Sequence, residues 1–242
     1  MIWIILGLSL LFMAIGFLIN EKNAINLLAG YNTMSVEQRK NFDLHGYLTL
    51  FKKFHIFLGI SFLVFGLILY FLGEETALVA FISIYPISAY LIFIFIGFRF
   101  DNNPKNLKRY ASVIVVVVSL LLVVYMMFEG MKENELVFSD DNISIEGMYG
   151  DDILYAEIAV IKLVDQLPKI VKKSNGFAAG EVRKGYFKTD QDEKVKLILN
   201  GDQIPIIYIQ KRDSTKLYFS SSSTDNLGLF QTLEKQIHVK KE

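Results

Sequence analysis

The chain has 242 residues, 52% of them hydrophobic, with 20 Phe and a mean hydropathy of +0.37, which is more apolar than an ordinary globular domain. Lys+Arg and Asp+Glu are equal at 25 each, a balance that argues against the strongly basic domain a nucleic-acid partner requires. There is no cysteine, so disulfides, thiolate catalysis and cysteine-based zinc or iron–sulfur sites are excluded.

The zero net charge averages two unlike halves. Residues 1–128 hold 9 Lys/Arg and 6 Asp/Glu, while 129–242 hold 16 and 19. Apolar residues are blocked in the first half and interleaved with polar ones in the second. This predicts a four-helix transmembrane domain over 1–128, with a cytoplasmic loop over 20–53, followed by a soluble β domain over 129–242.

A helix that crosses ~30 Å of hydrocarbon needs about 20 apolar residues, because its backbone polar groups must be satisfied within the segment. Met1–Ile19 fits, with no charge before Glu21. The competing reading is a signal peptide, but this stretch lacks a basic n-region, and Phe17-Leu18-Ile19-Asn20 is a poor cleavage site.

Asn23–Ala29 can extend this helix beyond the bilayer, with Gly30 at its C′ position as the break. Ser35 followed by Gln38 is a capping box that starts a new helix at Val36. Tyr47, Leu48, Phe51 and Phe54 fall on one face of that helix. With Arg39, Lys40, Lys52 and Lys53 elsewhere, it reads as an interfacial helix that feeds the second span, its basic residues near lipid phosphates. The string Leu28-Ala29-Gly30-Tyr31-Asn32-Thr33-Met34-Ser35 resembles a stretch in a bacterial family of small membrane proteins catalogued as a domain of unknown function. The resemblance covers about residues 1–100 and implies an architecture, in a bacterial membrane, but no activity. Tyr31, Asn32 and Thr33 are candidate contacts for a ligand or partner; the alternative reading is a structured break between helices. His45, close by, reads as solvated.

The second span is predicted from Phe54 to Leu72 and the third from Thr76 to Phe98, joined by the tight turn Gly73-Glu74-Glu75. Pro86 in the third should kink it. Gly59, Gly66, Ser83 and Ser88 read as helix-packing positions. The fourth span is predicted over Ala111–Phe128. His55, at the start of the second span, is the one ionisable residue expected within the spans, which argues against an ion-coupled pump. Lys22, Arg39, Lys40, Lys52 and Lys53 follow the first span, and Arg99, Lys105, Lys108 and Arg109 follow the third. On the other side only Lys132 appears near a helix end. The asymmetry places the basic loops in the cytoplasm and both termini, with the soluble domain, outside it.

After Glu133, short alternating runs separated by turn residues read as antiparallel β structure. Strands are predicted near Leu136–Ser139, Ile143–Gly147, Ala159–Leu163, Val182–Thr189, Val195–Leu199, Ile206–Gln210 and Leu217–Ser220, with a turn at Asn175-Gly176. Ser220–Ser223 reads as a polar linker to a final helix capped by Thr224 or Asp225, on which Leu229, Leu233 and Ile237 recur every four residues. Seven strands closed by one amphipathic helix is a pleckstrin-homology-like (PH-like) plan. The stretch Asn175-Gly176-Phe177, Gly180 and Gly185-Tyr186-Phe187, continued by Val195-Lys196-Leu197 and Ile206-Ile207-Tyr208-Ile209, resembles a bacterial PH-like family over about residues 130–237. The glycines read as serving turns or close strand approach.

Phosphoinositide binding is not expected, because the first hairpin turn, Ser139-Asp140-Asp141-Asn142, is acidic. The basic cluster Lys169, Lys172 and Lys173, with Arg183 and Lys184, is the candidate anion or partner contact; the alternative is a solvated loop. Asp140-Asp141 and Asp151-Asp152 lack the alternate spacing of a calcium loop, and His238 lies in the tail. No catalytic residue, metal or cofactor is therefore assigned. The chain reads as a non-catalytic membrane anchor or scaffold whose PH-like domain binds a protein, peptide or envelope component, through exposed strand edges or the groove beside the last helix. The alternatives are a small transporter or transport accessory, with a path near Ser83, Tyr85, Pro86, Ser88 and Tyr90, and a membrane enzyme that uses Tyr31, Asn32, His45 and His55.

Overall fold

The computed structural model describes residues 1–103 and 107–239, the side chains of 107–109 and 238–239 excepted. Lys105 and the side chains of Lys108, Arg109 and His238 lie outside the described residues. The chain forms two compact units, Met1–Tyr125 and Met126–Glu242.

The first unit is helical: α1 (Ile2–Leu18), α2 (Ala24–Leu27), α3 (Val36–Lys40), α4 (Leu44–Phe71), α5 (Glu75–Gly97) and most of α6 (Leu107–Met131). Leu44–Phe71, Glu75–Phe100 and Tyr110–Met131 are each long and apolar enough to cross a membrane. At 17 residues, α1 reaches about 26 Å, just under the hydrocarbon thickness. Large apolar side chains cover the outside of these helices; Trp3 is 81% exposed and Phe57 67%. So much exposed apolar surface suits lipid rather than water.

The helix α4 lies against both α1 and α5. Its contact with α1 depends on missing side chains: a Cβ at Gly59 would lie 2.7 Å from Ser9 O, one at Gly66 2.9 Å from Ile5 Cγ2, and one at Gly16 3.0 Å from His55 Cβ. Gly59 and Gly66 are therefore packing positions, as expected of small residues between membrane helices. Ile5, Phe62 and Leu78 form the core where α1, α4 and α5 meet.

Three local expectations are corrected here. The first helix does not continue through Asn23–Ala29. Instead Asn23 Nδ2 donates to Leu18 O, and Asn23 Oδ1 and Asn20 Oδ1 accept from the backbone N–H groups of Asn20 and Lys22; these asparagines compete for the backbone groups a helix would use. Gly30 (φ +90) then lies two residues past the α2 cap, Leu28, rather than one. The capping box does form, with Gln38 N donating to Ser35 Oγ and Ser35 N to Gln38 Oε1, but α3 stops at Lys40. Asp43 Oδ1 caps a fresh helix by accepting from Gly46 N, and Asp43 N donates to Phe100 O. Tyr47, Phe51 and Phe54 thus belong to the membrane helix α4 and not to a separate interfacial helix.

The second unit contains nine described strands rather than about seven. A three-stranded antiparallel sheet holds β1 (Leu136–Phe138), β2 (Asn142–Ile145) and β3 (Asp151–Leu154). A six-stranded sheet holds β4 (Ile158–Val164), β5 (Ile170–Ala179), β6 (Val182–Thr189), β7 (Lys194–Leu199), β8 (Ile206–Lys211) and β9 (Lys216–Ser220), in the order β4-β8-β9-β7-β6-β5. The second sheet is not wholly antiparallel, because β9 pairs in parallel with β7. The link after β7 carries β8 one slot further out, and β9 returns between them. Strand β3 escapes the sequence pattern because only Ile153 of Asp151–Leu154 is buried. Strand β5 escapes it because Asn175-Gly176 is not a turn. Gly176 lies opposite Gly185 in the β5–β6 ladder, a Cβ on it would run into Lys184 O, and the chain reverses instead at Gly180 (φ +57).

The inner strands β7, β8 and β9 of the six-stranded sheet are buried on both faces. Ile198, Ile207, Ile209, Leu217 and Phe219 pack with Ile143, Ile145 and Ile153 of the small sheet and with Leu233 and Ile237 of α7 (Asn226–Val239). Val195, Leu197, Leu199, Tyr208 and Tyr218 form a second cluster on the opposite face. Burial on both sides explains the near-continuous apolar runs of β7, β8 and β9. Asp225 caps α7, accepting from Leu227 N and Gly228 N.

Candidate functional site

Tyr31, Asn32 and Thr33 form a turn that binds itself. Arg39 Nε donates to Tyr31 O (3.3 Å) and its terminal nitrogen to Asn32 O (3.1 Å), Thr33 Oγ1 donates to Gly30 O (3.0 Å), and the Tyr31 ring lies against Phe42. The loop after α5 is laced to this region: Asn103 Nδ2 donates to Gln38 O (2.9 Å) and Asn102 N to Asn41 O (3.0 Å). This is the structured helix break that the sequence offers as one reading. The two histidines do not converge. His45 Nδ1 meets Glu21 Oε1 at 2.9 Å on the surface, whereas His55 is buried, its Nδ1 2.7 Å from Phe51 O and its Nε2 3.0 Å from Tyr90 OH. They lie ten residues apart on one helix, about 15 Å along its axis. His55 is the twelfth residue of α4. Three of the hydroxyls proposed for a transport path are engaged as well: Tyr85 with Ser61 Oγ (2.6 Å), Tyr90 with His55, and Ser83 with Val79 O (2.9 Å).

The basic candidates of the second unit separate. Opposed residues in an antiparallel ladder share a face. Lys172 opposes Lys188 and Phe177 opposes Lys184 on one face, while Lys173 opposes Phe187 and Ala178 opposes Arg183 on the other. Lys169, just before β5, has its carbonyl bound to Asp190 N. Lys184 is fully buried and donates from Nζ to Lys132 O; burial pushes its ammonium down to about 8, against the opposing pull of Glu133 and Glu129. It is thus a buried cation bound within the β unit, away from the exposed Lys172 and Lys173.

Lys184 belongs to a polar junction where the chain enters the β unit. Residues 132–135, between α6 and β1, are fastened one by one. Lys132 O accepts from Lys184 Nζ. The Glu133 carboxylate accepts from Ser221 Oγ (2.6 Å), Ser222 N (2.7 Å), Ser222 Oγ (3.0 Å) and Ser223 N (3.1 Å). Burial pushes this carboxyl up, but the four hydrogen bonds outweigh it and hold it at about 2. Asn134 N donates to Asn200 Oδ1 (2.9 Å), and its Nδ2 to Glu146 O (2.8 Å) and Met148 O (3.0 Å). Glu135 O accepts from Glu146 N (2.8 Å). Just before the link, Gly130 lies so close to Phe177 that a Cβ there would meet the ring at 2.5 Å. Ser221–Ser223 is therefore a clamp and not a loose linker. No sequence signal reveals this, because Glu133 and Ser221 are 88 residues apart.

At the sheet end where the β4–β5, β5–β6 and β7–β8 connections meet lies a cavity of about 190 Å³. Leu167, Leu199 and Ile206 contribute apolar walls, and Asp165, Glu181, Asp202, Gln203 and Arg183 polar ones. The volume is below the ~300 Å³ of a drug-sized ligand site and suits a single side chain. Ile204, next to the lining residue Gln203, is 63% exposed. By contrast, the groove beside the last helix is filled, since Leu229, Phe230, Leu233 and Ile237 of α7 pack into the core. Among the described residues no group of three or more His, Asp or Glu side chains is placed to hold a metal ion.

Residues 4–101 match the model of a family described as a domain of unknown function (DUF3784). The match runs from α1 to the end of the 3-10 turn that follows α5. With the apolar helices it identifies the N-terminal part as a membrane-protein domain of unknown function. No curated protein and no solved structure matches the chain.

Proposed function

We propose that this is a non-catalytic, four-pass protein of a bacterial cytoplasmic membrane, whose β unit is a PH-like module that binds a protein, peptide or envelope component. The cavity at the loop end of the six-stranded sheet carries this reading. It combines apolar walls with Arg183 and three carboxylates that make no ion pair among the described residues, and the exposed Ile204 flanks it. An arginine beside apolar walls in a partly enclosed pocket is a composition found at binding hot spots. The final helix closing a two-sheet β unit supports the PH-like assignment, and α1 supplies the fourth pass if the bilayer thins by a few ångströms at its ends.

The test is site-specific photocrosslinking of the full chain in its native membranes, with the probe at Ile204 or, as a control, at Leu154, which is 49% exposed on β3. A discrete protein or peptide adduct from position 204 that Arg183→Glu abolishes is the expected result. Absence of an adduct, or identical adducts from both positions, refutes the reading.

A further inference from the structure

In the helical unit, charge is segregated along the bundle. The α4–α5 turn carries Glu74 and Glu75 and no cation. The opposite end carries Lys22, Lys40, Lys52, Lys53 and Arg99, all exposed and none paired with a carboxylate among the described residues. Three carboxylates at that end are already engaged: Glu21 with His45, Asp43 with Gly46 N, and Asp101 with the Asn103 backbone and side chain. Each keeps its negative charge, so with Glu37 this end carries four carboxylates against six Lys/Arg, Arg39 included, among the described residues. The face therefore presents an excess of positive charge, and among the described residues none of those five exposed cations has a carboxylate partner.

Its depth is set by the packing of α1 on α4. A Cβ on Gly16, near the end of α1, would lie 3.2 Å from Lys52 O, so Lys52 stands level with the last apolar turn of α1. Lys52 Nζ lies 4.5 Å from the centroid of the Phe17 ring, and Phe17 is itself 61% exposed on the outer surface. From Lys52 back to Tyr47, which packs against Gly97 and Phe100 next to Arg99, is five residues, about 8 Å along the helix. That matches the ~5–8 Å headgroup layer on each side of a bilayer. Lys52, Lys53 and Arg99 thus fall within one headgroup-thick layer, with Lys52 beside the exposed Phe17 ring.

We propose that Lys52 and Lys53, with Lys22 and Arg99 at the same end of the bundle, form a binding surface for the headgroups of anionic phospholipids, with Lys52 held in place over the Phe17 ring. A basic residue at a membrane surface contributes about fivefold to anionic-lipid affinity. The proposal is independent of the partner proposed for the β unit, so either can fail without the other.

The experiment is native mass spectrometry of the purified full chain released from mixed micelles of phosphatidylglycerol and phosphatidylcholine. Phosphatidylglycerol should be retained in preference, and about tenfold more salt should weaken that preference. Lys52→Ala should lower retention about fivefold, and the Lys52→Ala/Lys53→Ala double variant more. Lys52→Arg should preserve it, and Lys235→Ala, on α7, should leave it unchanged. Equal retention of the two lipids by the wild-type chain overturns the proposal, as does a folded double variant that retains phosphatidylglycerol like the wild type. A salt-insensitive preference would assign retention to the apolar helices and also overturn it.

Discussion

Replacing Glu133 by Ala removes the acceptor for four hydrogen bonds at once, two of them from the backbone of Ser222 and Ser223. Holding a carboxyl at about 2 instead of its ordinary 4.5 corresponds to at most about 3 kcal/mol of stability at neutral pH. The carboxylate is only half-buried, and screening by water reduces this to about 2 kcal/mol. The net worth of hydrogen bonds to a charged group gives the same order. The folded value is depressed, so this stability is fully present above the unfolded value, near pH 4.5, and is lost as pH falls towards 2. Glu133→Ala should therefore be about 2 kcal/mol less stable than wild type at pH 7, and the deficit should shrink as pH falls below 4.5 and close only as pH approaches 2. Residue-resolved hydrogen exchange of the full chain in detergent is the assay. The amides of Ser222 and Ser223 should lose about 30-fold in protection, whereas those of β5 and β6 should change less. Unchanged protection at Ser222 and Ser223, or a stability deficit at pH 3 as large as at pH 7, would refute the clamp.

Lys184 titrates in the opposite sense. Its folded value, about 8, is below the ordinary 10.5, so the unfolded chain binds the proton more tightly and wild-type stability should rise between pH 8 and 10.5, by at most about 3 kcal/mol. Lys184→Met should lose this rise, which thermal unfolding at pH 7.5 and 10 will show. Gly185→Ala should cost more than about 3 kcal/mol, because φ is +119 and a Cβ would stand 2.6 Å from Gly176 Cα. Gly201→Ala, where the nearest atom is 3.5 Å away, should cost under about 1 kcal/mol, and denaturant titration separates the two. A reporter active only in the cytoplasm, fused after Glu242, should stay dark if the basic loops face the cytoplasm; a bright fusion refutes that topology.

The amino-acid sequence alone determined what local chemistry determines. Blocked apolar residues set the membrane helices α4, α5 and α6, because backbone groups in hydrocarbon must be satisfied within each segment. Ser35 and Gln38 specified the start of α3, and the spacing of Leu229, Leu233 and Ile237 specified α7. Where two local signals competed, pattern was insufficient: Asn20, Asn23 and Asp43 each ended or restarted a helix that hydrophobicity alone would have continued. Tertiary structure alone decided the insertion of β9 between β7 and β8, the passage of β5 through Asn175-Gly176, and the burial of Lys184. It also fastened Glu133 to a serine run 88 residues away. The physical reason is the same in each case: a lysine or glutamate reads as solvated until strand pairing brings a carbonyl or a row of donors to it, and that pairing is set by which apolar faces meet across the core, not by the residues next to it in the chain.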